Sequence, residues 1–226
     1  MATLARTTLA NVRSRLRNIH QDGGVIAAFQ FLIALAVSGS ADRVRIKPPI
    51  DLREDPSPLQ LASGLSQWVQ AHSRSAEYGD IARRAATDAI ALWTEQQKRQ
   101  LDFTGEAWKA SETWRKAGTG SGFCEVARLF FAKFTERYLN YFLCREASAE
   151  VSNIEERNQL ESRLQDHIDA VSKHAFETAR IAQSFAAGWF NRYARAGMPP
   201  PEQIERFLAI SFGKISEELE REASQE

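Results

Sequence analysis

The sequence predicts an all-α protein: an up-down bundle of three long antiparallel helices, at about 78–117, 121–148 and 153–195, with shorter N- and C-terminal helices packed on it. Apolar residues recur at three- and four-residue steps over long stretches, as they do on one face of an α-helix. Prolines and glycines, which end helices, fall between these stretches. We therefore divide the chain into an N-terminal helical hairpin (1–38), a proline-rich linker arm (39–58) and a helical bundle domain (59–226).

Composition indicates a folded protein without a strong electrostatic preference. Hydrophobic residues make up 43% of the chain and charged residues 26%, which is enough apolar material for a substantial core. The formal net charge is +0, so the chain as a whole is not attracted to nucleic acid or to an anionic membrane.

The N-terminal hairpin begins with an amphipathic helix over residues 3–20, which Asp22-Gly23-Gly24 ends. The apolar run at 25–37 is too short to span a bilayer as a helix, so we predict a buried helix and no transmembrane segment. The arginine-rich, acid-free first 21 residues also resemble an organelle transit peptide, and the apolar run that follows them imitates a secretory signal. Both alternatives stay open beside a cytoplasmic location.

Four of the seven prolines lie in the linker arm, where helix cannot continue. An extended arm packed across the bundle is the preferred interpretation, and a short edge strand at 44–46 is the alternative. A short helix is predicted to follow at 59–73, with Pro58 near its first turn. The 78–117 helix comes next, and only Gly105 weakens its periodicity. Its predicted inward positions are Tyr78, Ile81, Ala85, Ala89, Leu92, Gln96, Phe103, Ala107 and Trp114.

The most aromatic stretch of the chain is 121–148, for which Ser121 is the predicted N-cap. Its rings recur at helical spacing, and we expect this segment to be the core helix on which the others pack. The aromatic residues in phase are Phe123, Phe130, Phe134, Tyr138 and Tyr141. A final helix is predicted at 202–223, with Pro201 at its first turn. Its predicted inward positions are Ile204, Phe207, Leu208, Ser211 and Ile215.

The two cysteines are predicted to be buried and unpaired. Cys124 and Cys144 lie on one predicted helix about 30 Å apart, because each residue adds 1.5 Å, so they cannot form a disulfide. An alternative is that the helix N-terminus activates the Cys124 thiol. The glycine-rich loop at 118–122 has a phosphate-binding alternative, but it lacks a preceding strand and a lysine, and a helix-breaking turn is the preferred interpretation.

No metal site or cofactor is predicted. The Glu-x-x-His pattern of carboxylate-bridged metal sites in helix bundles is absent, and His167 and His174 are about 10 Å apart along one predicted helix, too far to chelate one ion. We interpret them, with Phe185 and Trp189, as interface candidates. The alternative is that one of these histidines acts as a general base beside a nearby carboxylate.

One enzyme alternative comes from a resemblance. Arg15 and His20, separated by four residues, resemble the Arg-x4-6-His motif of HEPN ribonucleases, as does Arg13 with six intervening residues. The resemblance implies that the arginine stabilises a phosphate and that the histidine transfers a proton. Leu16 stands where that family usually has a polar residue.

A basic patch offers a further possibility, nucleic-acid binding, if the linker arm folds back on the first helix. No DNA- or RNA-reading motif accompanies it, which favours a solvated basic face. The residues of the patch are Arg13, Arg15, Arg17, Arg43, Arg45 and Lys47.

The preferred functional hypothesis is a non-enzymatic helical scaffold, adaptor or small subunit, bacterial in type, that acts through a protein partner or as a homo-oligomer. The chain contains more aromatic residues than one set of packed helices necessarily buries, so an apolar helix face is expected at an interface. The alternatives are the HEPN-like ribonuclease or nucleic-acid-binding subunit, and a phasin-like coat protein that adsorbs through apolar helix faces.

Overall fold

A computed structural model describes residues 15–16, 18–39, 52–73, 77–102, 108–150 and 185–223 of the chain. Within these ranges the regular structure is helical and no strand occurs, which confirms the all-α prediction. We label the helices α1 (Gly23–Gly39), α2 (Pro58–His72), α3 (Glu77–Asp102), α4 (Ala110–Ala117), α5 (Gly120–Glu150) and α6 (Pro201–Ala223). Short 3-10 turns at Ile19–Gln21 and Leu52–Glu54 and a π-helical turn at Phe190–Ala194 complete the description.

The three-helix bundle is not confirmed in its predicted form. Most of the third predicted helix, 153–195, and the possible strand at 44–46 lie outside the described residues. The first predicted helix, 78–117, is wrong as one element, because the structure divides it into α3 and α4.

Helix α1 occupies the centre of the fold. The sequence predicts 121–148, not this helix, as the core helix on which the others pack. Ala27, Ala28, Phe29 and all residues from 31 to 37 are buried. A helix that is apolar on every side needs neighbours on every side, and α1 packs against α2, α3, α4, α5 and α6. Because its side chains belong to the same hydrophobic cluster as those of α3, α5 and α6, residues 23–39 do not form a core of their own. The division into three domains stays a prediction.

Two local features fix the start of α1. The Asp22 carboxylate accepts hydrogen bonds from the amides of Gly24 and Val25 at 2.9 and 3.1 Å, which makes Asp22 the N-terminal cap. A Cβ atom on Gly24 would overlap the Cα atom of Gly79, so the backbones of α1 and α3 touch there. Only glycine permits such an approach.

The break between α3 and α4 depends on two long-range contacts. The Trp93 indole N–H donates to the Thr113 carbonyl at 3.2 Å, so α4 turns back beside the end of α3. The amide of Ala110, the first residue of α4, donates to the Asp55 carboxylate at 3.0 Å, while Lys109 is extended. Since the amides of a first helical turn need partners outside the helix, Asp55 stabilises a new helix start at this point.

Thr119, not the predicted Ser121, caps helix α5. Its hydroxyl oxygen accepts from the Gly122 amide at 3.0 Å and its carbonyl from the Phe123 amide at 2.8 Å. The end of α4 crosses so close that a Cβ atom on Gly122 would overlap the Lys116 carbonyl oxygen. The predicted and the observed cap are both hydroxyl residues, but Ser121 lies two positions after Thr119.

Helices α3 and α5 run antiparallel and pack against each other. Ion pairs join Glu77 to Arg145 and Asp88 to Arg137, with oxygen–nitrogen distances of 2.7 and 2.6 Å. Residue numbers rise along one helix as they fall along the other, which establishes the direction and the register. On α3, the buried face is largely alanine: Ala82, Ala85, Ala86 and Ala89.

The aromatic core lies where α1, α5, α6 and residues 185–194 meet. The Phe207 ring of α6 contacts Phe29 at 5.4 Å, Trp189 at 4.6 Å and Phe185 at 5.2 Å between centroids. The Phe212 ring, further along α6, contacts Phe134 of α5 at 5.0 Å. The predicted inward positions of the final helix are confirmed, since all are buried: Ile204, Phe207, Leu208, Ser211 and Ile215.

Candidate functional site

The two ribonuclease candidates lie before α1. Arg15 is exposed, and its guanidinium carbon is 6.0 Å from the centroid of the Phe142 ring of α5. His20 is half-buried in the 3-10 turn Ile19–Gln21, which packs against α6. The Arg15 side chain therefore contacts an aromatic ring, and the ribonuclease hypothesis still depends on spacing alone.

The other members of the basic patch, Arg13, Arg17, Arg43, Arg45 and Lys47, lie outside the described residues. The basic patch that these residues would form with Arg15, if the linker arm folds back on the first helix, stays a prediction.

Of the four interface candidates, His167 and His174 lie outside the described residues. Phe185 stacks on Phe207 with an angle of 7° between the ring planes. Trp189 is 6% exposed and also packs on Phe207. These two rings contribute to the core of this chain, and an interface role for the four residues stays a prediction.

The structure argues against an activated thiol at Cys124. The side chain is buried and not in a disulfide. Burial raises the pKa of the Cys124 thiol, because the thiolate loses hydration there, and this outweighs a backbone hydrogen bond with Ala187. Helix α5 is continuous between Cys124 and Cys144, so the two positions are about 30 Å apart and cannot form a disulfide.

Three amides of the glycine-rich loop, those of Gly118, Thr119 and Gly122, donate hydrogen bonds within the chain. Thr119 accepts from the amides of Gly122 and Phe123, and its own hydroxyl donates to the Lys116 carbonyl at 2.8 Å. Amides that are already bonded are not available to a phosphate. These contacts support the interpretation as a helix-joining turn.

Two features do not occur in the part of the chain that the structure describes. No group of three or more His, Cys, Asp and Glu side chains there is arranged to hold a metal ion. Across the same residues, every helix is too short or too polar to cross a membrane.

The structure describes a groove of about 570 Å³ between the outer faces of α3 and α5. Its lining contains three acidic and three basic side chains, with Ile81, Ala91, Leu92, Asn140 and Tyr141. The six charged residues are Asp80, Arg84, Asp88, Lys133, Glu136 and Arg137.

Every charged side chain of the groove is paired with another one in the groove. The pairs are Arg84 with Asp80 at 2.8 Å, Arg137 with Asp88 at 2.6 Å, and Lys133 with Glu136 at 2.7 Å. Although partial burial acts to raise the pKa of Asp80, hydrogen bonds and charges of Arg83 and Arg84 outweigh it and hold that pKa below its ordinary value. The groove therefore presents balanced charge, and each of its acids is beside a base.

Two exposed apolar side chains, Leu92 and Tyr141, line the groove on opposite helices. They are 37% and 43% exposed, and the third large hydrophobic residue exposed in the described ranges, Leu59, lies on α2 at 80%. Leu92 and Tyr141 are predicted from the sequence to face inward, and both predictions are wrong. A strict heptad repeat would place Leu92 on the buried face of α3. In the structure this face continues instead through Ala89, Ile90 and Trp93, so Leu92 lies outside it.

No protein-family model matches the chain, and no match was found among curated proteins or solved structures. The fold and the site together define a helical protein with a charge-balanced groove between two antiparallel helices.

Proposed function

We propose that the protein is a non-enzymatic scaffold, adaptor or small subunit, and that a protein partner binds in the groove between α3 and α5. The observation that carries this proposal is the position of Leu92 and Tyr141, two exposed apolar side chains that line one concave surface. Apolar and aromatic residues at the centre of a polar rim are typical of protein interfaces.

The charges of the groove favour a protein over a nucleic acid. Nucleic-acid binding needs unpaired basic side chains to neutralise phosphates. In the groove, Arg84, Lys133 and Arg137 each contact a carboxylate. A polyanion would have to displace these carboxylates, whereas an apolar protein segment can contact Leu92 and Tyr141 and leave the pairs intact.

The groove also offers little to catalysis. Its described lining contains no histidine or cysteine, and the pKa of Asp80 is lowered because hydrogen bonds and charges of Arg83 and Arg84 outweigh the effect of partial burial. A general acid or base that works near neutral pH needs a pKa close to that pH.

Affinity purification of the tagged full chain from its native cell tests the proposal, with mass spectrometry and a nucleic-acid stain on the same eluate. The informative variant is Leu92→Asp combined with Tyr141→Asp, because it places charge on both apolar side chains. Leu59→Asp is the matched control: it makes the same kind of change at an exposed residue outside the groove. Circular dichroism checks that each variant is folded.

We expect a stoichiometric protein partner with the wild type and with Leu59→Asp, and a loss of at least about tenfold with the double variant. Two results contradict the proposal: a partner that the double variant retains in full, or an eluate that contains nucleic acid and no protein partner.

The alternatives have weaker support. The ribonuclease hypothesis depends on the spacing of Arg15 and His20, and RNA cleavage that survives His20→Ala removes it. A phasin-like coat would need free apolar helix faces. In this structure the apolar faces of α5 and α6 cover each other, as the contact between Phe134 and Phe212 shows.

A further inference from the structure

From the same groove we infer the form of its occupant: one amphipathic helix of the partner protein, with two apolar residues seven positions apart that contact Leu92 and Tyr141. This inference rests on the proposed function, since it describes the partner of that site.

The spacing follows from the register of α3 and α5. Asp88 and Arg137 face each other across the groove at 2.6 Å. Leu92 lies four residues beyond Asp88, and Tyr141 lies four residues beyond Arg137. Because the helices are antiparallel, these steps lead in opposite directions along the groove. At 1.5 Å per residue, and in the register of the Asp88–Arg137 pair, the Cα positions of Leu92 and Tyr141 are about 12 Å apart along the groove axis.

A helix matches this distance with residues i and i+7. Seven residues span about 10.5 Å and return to nearly the same helix face, whereas i and i+4 span only about 6 Å. An extended peptide also matches, because residues i and i+4 of a strand are about 13 Å apart on one side.

The walls of the groove favour the helix over the extended peptide. They are formed by side chains of two helices, whose backbone groups are bonded within each helix. An extended peptide normally gains affinity by pairing its main chain with a free sheet edge. The groove has no such edge among its described lining residues, and its polar side chains are largely engaged with one another. A helical peptide forms its backbone hydrogen bonds within itself, so it can bind without a free sheet edge.

Charge balance sets the remaining property of the occupant. With three acids and three bases in pairs, the groove favours a helix of mixed charge with polar residues beside Asp88 and Arg137. Its binding is then expected to change by less than about threefold between 50 and 500 mM salt, because exposed paired charges contribute little and few counterions are released.

The test is a selection from a phage library of 18-residue peptides with helix-forming flanks and randomised central positions, performed on the folded full chain. We expect the selected sequences to share apolar residues at i and i+7. We also expect synthetic versions to become helical on binding and to lose at least about tenfold in affinity on the Leu92→Asp, Tyr141→Asp variant. Leu59→Asp is expected to bind them like the wild type.

Three results overturn the inference: selected peptides with i, i+4 spacing that stay extended, peptides that bind the double variant as well as the wild type, or a selection that yields no groove-dependent peptide. Each leaves the proposed function standing if the native partner still depends on Leu92 and Tyr141. A native partner that the double variant retains contradicts the proposed function itself, whatever the library yields.

Discussion

Phe29, near the middle of α1, stacks on Phe207 of α6 with ring centroids 5.4 Å apart and ring planes 13° apart. Both rings are completely buried and lie at the junction of α1, α5 and α6. This contact joins the N-terminal and C-terminal parts of the described chain through one aromatic cluster.

Replacing Phe207 by alanine is expected to lower the free energy of unfolding by about 3–5 kcal/mol, because it removes a fully buried ring and leaves a cavity. Urea unfolding followed by circular dichroism measures the change. Tyr141→Ala is the control, since that ring is partly exposed, and its effect should stay within about 0.5 kcal/mol. Equal effects of the two substitutions would contradict the assignment of Phe207 to the core.

Two glycines should respond in opposite ways to alanine. Gly122→Ala is expected to destabilise the protein by about 1–3 kcal/mol or more, because the added methyl group overlaps the Lys116 carbonyl oxygen. Gly213→Ala, within α6, meets no atom within 4 Å and should stabilise it by roughly 0.5–1 kcal/mol. Thermal unfolding of both variants compares them directly. A neutral Gly122→Ala would show that α4 and α5 do not approach as described.

The Cys124 thiol should react slowly in the native protein, because it is buried and its pKa is raised. In a Cys144→Ser background, alkylation by iodoacetamide at pH 8 is expected to be at least about 100-fold slower in buffer than in 8 M urea. Mass spectrometry follows the modification. Rapid labelling of the native protein would revive the interpretation of Cys124 as an activated nucleophile.

Asp80 should make a small contribution to acid sensitivity. Its pKa is lower in the folded protein than the ordinary value of about 3.9, so its stabilising effect is present above that value and is lost as the pH falls through the folded pKa. We expect the unfolding free energy of Asp80→Asn to fall less steeply below pH 4 than that of the wild type. The difference should be well under 1 kcal/mol because the side chain is partly exposed. A steeper fall for the variant would contradict the sign of this shift.

Helix positions followed from sequence where periodicity and capping agreed. Helix α1 was predicted as buried because its composition is apolar on all sides, and the start of α2 because Pro58 favours a first helical turn. The capping box between Ser57 and Gln60 at this start was not predicted from the sequence. The break after α3 could not be predicted in this way. It depends on Asp55, which is distant in sequence from the Ala110 amide that it binds.

The groove was beyond sequence reasoning for a similar reason. Its charges are unremarkable on either helix alone, and they become a site only when α3 and α5 lie antiparallel in one register. Leu92 and Tyr141 were assigned to the core because each lies beside its helix's buried face, and a shift of one position separates inside from outside. Periodicity does not resolve so small a rotation over several turns.

The contact between Phe29 and Phe207 also constrains biosynthesis. A nascent chain contains α1 and the aromatic face of α5 long before α6 has been made, and those rings then lack the side chains that cover them. Such transiently uncovered apolar surface makes folding intermediates prone to aggregation. A chain truncated before Pro201 should therefore accumulate in inclusion bodies or on chaperones.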